Sequence, residues 1–233
     1  MKTIHTVAYE FYELDYKAKE KARSLCRDSN NEVGISVDDV SEDFKNTLAE
    51  IGLGELKAWW SLSCCQGDGV AFDGQVDLDA FIAKQPEILE NIKKWGWTAE
   101  RYTKFLIGED FCKDVIGLAA QGVQIGAHIK LRGHYTHWNS MDVTFEILCA
   151  GDNEDPGASE RQEKKVNELQ EQFHEYIKDL SRQFESDGYA IIEGNSSDEY
   201  IDEEIEANGW LFTKSGHRKV TLPTVEEIPH ERA

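Results

Sequence analysis

No apolar run in this 233-residue chain approaches the ~20 residues that a membrane-spanning helix needs. The amino terminus, Met1-Lys2-Thr3-Ile4-His5, lacks the apolar core of a secretory signal. The chain is therefore expected to be soluble and cytoplasmic. Basic residues are scarce: 25 lysines and arginines stand against 45 aspartates and glutamates, a formal charge of −20. Nucleic-acid binding draws on cations that neutralise phosphates, so this balance excludes direct binding to DNA, RNA or anionic membranes and favours a basic protein partner. The five cysteines (Cys26, Cys64, Cys65, Cys112, Cys149) are odd in number and show no C-x-x-C spacing, which argues against a disulfide framework or a zinc knuckle. H-E-x-x-H, phosphate-loop, G-x-S-x-G and dinucleotide fingerprints are also missing, which removes the usual enzymes. No internal repeat or low-complexity block occurs.

What is present is the material of a folded protein. With 40% hydrophobic and 10% aromatic residues, the chain can bury a substantial core as one large or two small domains. Thr3 to Leu14 alternates Ile4, Val7, Tyr9 and Phe11 and reads as a strand. Asp15 is placed to cap a helix carrying Ala18, Ala22 and Cys26 on one stripe. The spacing of Val37, Val40, Phe44, Leu48 and Ile51 predicts a second helix, capped by Ser36 and stopped by Gly52 and Gly54. Leu56–Ser63 and Val70–Leu78 read as a hairpin around Gly-Asp-Gly. Helical periodicity then covers Leu78 to Gln121, broken by Pro86 and Gly96.

Val123–Leu131 and Met141–Cys149 follow as strands, joined by a polar and aromatic loop from Arg132 to Ser140. Residues 150–159 are rich in turn formers and mark the best internal boundary. A long helix is expected from about Glu160 to Glu185 or a little beyond. A short acidic helix should follow, started by Ser197 and stopped by Asn208-Gly209, and then a hairpin around Ser215-Gly216. Hairpin connections dominate, so the expected fold is α+β: an antiparallel sheet of about five strands covered by helices. Residues 1–150 would form the sheet-containing core, 151–222 an acidic helical part packed on it, and 223–233 a mobile tail.

Three constellations carry possible chemistry. Gln66-Gly67-Asp68-Gly69 suits an ordinary turn, and equally a loop whose amides meet an anion while Asp68 binds a metal or a sugar. The series His128, His134-x-x-His137 and Asp142 offers three readings. His134, His137 and Asp68 or Asp142 hold a divalent metal; or His134 and His137 act as acid and base on a phosphodiester held by Arg132 and Lys130; or the loop is structural or makes protein contacts. No cofactor is required by the sequence. Trp138 beside that loop would serve as an interface anchor or stacking platform if exposed. Trp59 and Trp60, adjacent on a strand, must face opposite sides. The third constellation is charge: residues 151–210 hold 18 acids and 5 bases, −13 of the total. This is either a solvated helical face or a docking surface for a basic partner, with Glu199, Asp202, Glu203, Glu204 and Glu206 as its contacts.

Four strings, in order from Phe11 to Gly216, carry a resemblance. They are F-Y-E-L-D-Y-K-A-K-E-K-A-R, W-S-L-S-C-C-Q-G-D-G-V-A-F, R-G-H-Y-T-H-W-N-S-M-D-V and S-S-D-E-Y-I-D-E-E-I-E-A-N-G-W-L-F-T-K-S-G. Together they resemble a family found in tailed phages and prophages, often labelled "antitoxin of a toxin-antitoxin stability system". The resemblance implies a phage or prophage origin and one α+β unit, with about 85–121 as a helical insertion. Joined to the local charge, it points to a binding protein that inhibits or sequesters a basic host protein, such as a nucleic-acid-binding defence factor. Neutralisation of a cognate toxin, and a nucleotide pocket formed by the Gln66–Gly69 and His134–His137 loops, are the alternatives.

Overall fold

The computed structural model describes residues 7–28, 37–63, 67–95, 102–148 and 159–219. They form six α-helices: α1 (Tyr16–Asp28), α2 (Val37–Glu50), α3 (Leu78–Trp95), α4 (Glu109–Ala120), α5 (Glu160–Asn195) and α6 (Asp198–Ala207). Strands β1 (Lys57–Ser61), β2 (Gly69–Val76), β3 (Gln124–Leu131) and β4 (Met141–Leu148) pair in that order as one antiparallel sheet. Two short strands, β5 (Leu211–Phe212) and β6 (Arg218–Lys219), make a separate hairpin. The class is α+β, as the dominance of hairpin connections implies, with four strands in the main sheet. No helix among the described residues is long and apolar enough to cross a membrane.

The chain divides into two compact units, but not at residue 150. One unit is Asp38–Ile191; the other joins the two ends of the chain, up to Val37 and from Ile192 onward. Most of the long acidic helix thus belongs with the sheet, because its apolar stripe is part of that core. Val166, Leu169, Phe173, Ile177, Leu180 and Phe184 of α5 are all buried, at the three-and-four spacing of one helical face. Phe173 lies 5.5 Å from Phe81 of α3, 5.8 Å from Phe111 of α4 and 5.6 Å from Phe145 of β4. Phe184 meets Phe44 at 4.9 Å and Phe72 at 5.2 Å. Each fully buried ring of this kind contributes about 1.5–3 kcal/mol. The 85–121 stretch supplies Ile88, Phe105, Phe111, Val115 and Leu118 to this core.

One breaker signal is overridden by packing. Helix α3 runs through Pro86 because Leu78, Phe81, Gln85 and Ile88 form one buried stripe, which outweighs the ~3 kcal/mol a mid-helix proline costs. Helix α5 continues past Glu185 to Asn195. Gly188 lies inside it because a Cβ there would collide with Leu62 of the β1–β2 connection.

The terminal unit has its own core of Phe11, Leu14, Ala18, Ala22, Cys26, Ile201, Ile205 and Phe212. Asp15 caps α1 through Ala18 N (2.9 Å), and Ser197 caps α6 through Tyr200 N (3.2 Å). The strand expected over Thr3–Leu14 is reduced, within the described residues, to a bridge between Tyr9 and Phe212. After it a 3-10 turn, Phe11–Glu13, closed by reciprocal Glu10 and Glu13 bonds, turns Phe11 and Leu14 into the core.

Candidate functional site

The hairpin tip and the histidine loop do come together. Gly67 has φ of +97°, and a Cβ on it would sit 2.5 Å from Cδ1 of Tyr135. A Cβ on Gly69 (φ +148°) would lie 2.9 Å from the Thr136 carbonyl and 3.5 Å from His137 Cα. The glycines are therefore needed twice, for left-handed backbone and for the close approach of the 132–140 loop.

The chemistry of the junction is largely spent on holding it. Asp68 accepts hydrogen bonds from Ser61 Oγ (2.6 Å), Ser63 N (2.8 Å) and Ser63 Oγ (2.9 Å), so its carboxylate closes the hairpin. Gln66 lies outside the described residues. Arg132, the residue expected to hold a phosphate, is paired with Asp142, one of the expected metal ligands. His137 Nδ1 accepts from Asn139 N (3.2 Å), and its backbone N–H donates to Ser140 Oγ (3.0 Å). His134 is exposed. Among the described residues no group of three or more His, Cys, Asp or Glu is arranged to hold a metal ion. Trp138 is half-buried rather than an open platform. The Arg182 guanidinium of α5 lies over its ring at 4.0 Å, and the His137 ring is 4.9 Å away.

His128 is separated from the other two histidines by its place on β3. It faces the side of the sheet opposite the aromatic core, in register with Gln75 on β2 and Thr144 on β4. Trp59 and Trp60 divide between the faces as strand geometry demands. Trp60 packs edge-on to Phe44 and donates to Ser41 Oγ (3.1 Å), while Trp59 is 42% exposed under the Lys57 ammonium. Of the cysteines, Cys26 is buried and Cys112 half-buried. Burial pushes both up from the ordinary thiol range, which makes them poor nucleophiles.

Helix α6 sorts its carboxylates. Asp202 accepts from Arg23 Nε (2.7 Å) and Nη2 (2.6 Å), and Asp198 pairs with Arg23 and Arg27 of α1. Asp202 is therefore an internal clasp rather than a partner contact; the arginine that claims it lies 179 residues away in sequence. Glu204 is half-buried and accepts from Asn208 Nδ2 (3.3 Å). Glu199, Glu203 and Glu206 are exposed and, among the described residues, make no ion pair. Their spacing of four and three puts them on one stripe.

A model for a domain of unknown function, DUF8835, matches residues 37–198, more than two thirds of the chain, and the chain belongs to that family. The matched segment nearly coincides with the sheet-containing unit, Asp38–Ile191. No curated protein and no solved structure matches the chain.

Proposed function

We propose that this member of the DUF8835 family is a non-enzymatic binding protein that presents an acidic helical face to a basic partner protein. The observation that carries this reading is the division of labour on α6. Two aspartates are neutralised by Arg23 and Arg27, while Glu199, Glu203 and Glu206 form an exposed stripe that makes no ion pair among the described residues. A stripe of carboxylates on a chain of charge −20 attracts a basic surface at long range and can occupy a site built for phosphates. The phage-family resemblance supplies the setting: a host cytoplasm, with a nucleic-acid-binding defence factor as the protein inhibited or sequestered. The pocket and phosphodiesterase readings draw less support, since Asp68 and Arg132 are engaged internally.

The test is co-purification from host lysate at low ionic strength, comparing the natural chain with a Glu199→Lys/Glu203→Lys/Glu206→Lys variant. The expected result is a basic protein retained by the natural chain, released by salt and lost in the variant. Recovery of no partner, or of the same partner by both proteins, refutes the reading.

A further inference from the structure

The acidic stripe lies just beyond the family-matched segment, which ends at residue 198. A second feature lies inside it. A groove of about 660 Å³ runs between the β3–β4 end of the sheet, the start of α3 and the side of α4. This volume is in the range of ligand sites. Its lining includes Asp77, Asp79 and Glu146, but no lysine or arginine.

The groove follows from the strand register. Gly126 on β3 stands opposite Glu146 on β4, beside the row of Gln75, His128 and Thr144, and the Leu148 side chain lies over it, 3.3 Å from where a Cβ would be. The glycine lets Leu148 approach the backbone and gives the groove an apolar floor. Asp77 is committed to capping α3, where its Oδ1 accepts from Ala80 N (2.9 Å). Asp79 and Glu146 are exposed and, among the described residues, form no ion pair. The start of α3 adds a partial positive charge of roughly half a unit, which Asp77 and Asp79 more than offset. The lining also includes the apolar Val115, Ala119 and Leu148.

We infer that this groove seats an arginine side chain of the basic partner, its guanidinium against Glu146 and Asp79 and its stem along Val115, Ala119 and Leu148. Guanidinium offers five planar donors, and the rim offers acceptors on Gln75, Thr144 and Glu146 to meet them. The occupant's identity as a protein side chain rests on the proposed function; the cation preference of the groove rests on its lining alone.

The experiment is an amide NMR titration of the full chain with N-acetyl-arginine amide, using the neutral N-acetyl-citrulline amide as control. The expected result is one saturable curve shared by Gly126, His128 and Thr144 with the arginine probe and no saturable response to citrulline. An Asp79→Asn/Glu146→Gln variant should bind at least about five-fold more weakly. Ala119→Trp, which fills the groove from an exposed helix position, should abolish the response while spectra elsewhere stay unchanged. No saturable shift at these residues, equal response to citrulline, or undiminished binding in both variants overturns the inference. The lysate experiment separates the two proposals. Capture lost with the α6 variant but no arginine response leaves the function standing and removes the groove; an arginine response with capture indifferent to α6 does the reverse.

Discussion

Arg23 on α1 grips Asp202 on α6 with two charge-assisted hydrogen bonds, Nε at 2.7 Å and Nη2 at 2.6 Å, and so ties the two ends of the chain into one unit. The same guanidinium lies 5.7 Å from the Phe11 ring centroid and bonds Glu20 at 2.6 Å. Its side chain is 15% exposed and that of Asp202 30%, so solvent screens the pair only in part. Asp202→Asn should cost about 1–2 kcal/mol, the range of a charged hydrogen bond discounted for that exposure. Urea unfolding followed by Trp210 fluorescence would measure it. A clasp predicts that Asp202→Asn lowers stability yet leaves partner capture intact, the opposite of the Glu199/Glu203/Glu206 variant. Equal stability of the natural chain and Asp202→Asn would show that the clasp contributes nothing.

The contact between Gly67 and Tyr135 makes a second prediction. Alanine at 67 meets two penalties: a left-handed backbone at φ +97° and a Cβ 2.5 Å from the tyrosine ring. Together these should destabilise the chain by about 1–3 kcal/mol. Tyr135 is 66% exposed, so Tyr135→Ala alone should be nearly neutral. In that background Gly67→Ala should cost distinctly less, because only the backbone penalty remains. A double-mutant cycle showing strict additivity would mean that the two loops do not press on one another.

Long-range partners explain what the sequence could not reveal. Val40, Phe44, Leu48 and Ile51 are legible because a helix repeats its buried face every three or four residues, and all four are buried. The caps at Asp15 and Ser197 are legible because each closes on a residue three positions away. The course of α3 through Pro86 was not legible, since its cause is the burial of Phe81 and Gln85 against distant elements. In the same way, the place of Gly188 inside α5 is explained only by Leu62, which lies against it. Candidate sites suffer more. Asp68 and Asp202 look available as isolated letters, and only the fold shows that Ser61, Ser63 and Arg23 have already claimed them.

Burial of Tyr176 links stability to alkaline pH. Its hydroxyl donates to the Phe105 carbonyl at 3.0 Å, and burial raises the phenol well above its ordinary value. The protonated form is therefore the one the fold prefers. The stabilisation is complete below the unfolded-state value of about 10 and drains away as pH rises from there toward the folded-state value. Tyr176→Phe removes the donor and leaves the carbonyl short of a partner, at a cost of about 1–2 kcal/mol at pH 7. Above pH 10 the gap between the two proteins should narrow, because the variant has no phenol to ionise. Urea midpoints at pH 7 and 10.5 decide it; a gap that widens with pH contradicts the assignment.

The near coincidence of the family segment, 37–198, with the sheet-containing unit makes a prediction about autonomy. That unit holds its own core, from Phe44 and Phe72 through Phe173 and Phe184, and α5 is anchored to β2 within it by Ser181 Oγ, which donates to the Val70 carbonyl at 2.5 Å. A fragment of residues 37–198 should therefore unfold cooperatively and keep its mixed helix and strand circular dichroism. The terminal unit has no such independence, because its core needs Phe11, Leu14 and Ala18 from one end of the chain and Ile201, Ile205 and Phe212 from the other. In the full chain, Arg23→Met should lower the unfolding midpoint of the terminal unit and leave the transition of the sheet unit where the fragment shows it. A fragment that melts without a cooperative transition would mean that the sheet unit depends on the terminal helices for its fold, and the two units would then have to be treated as one.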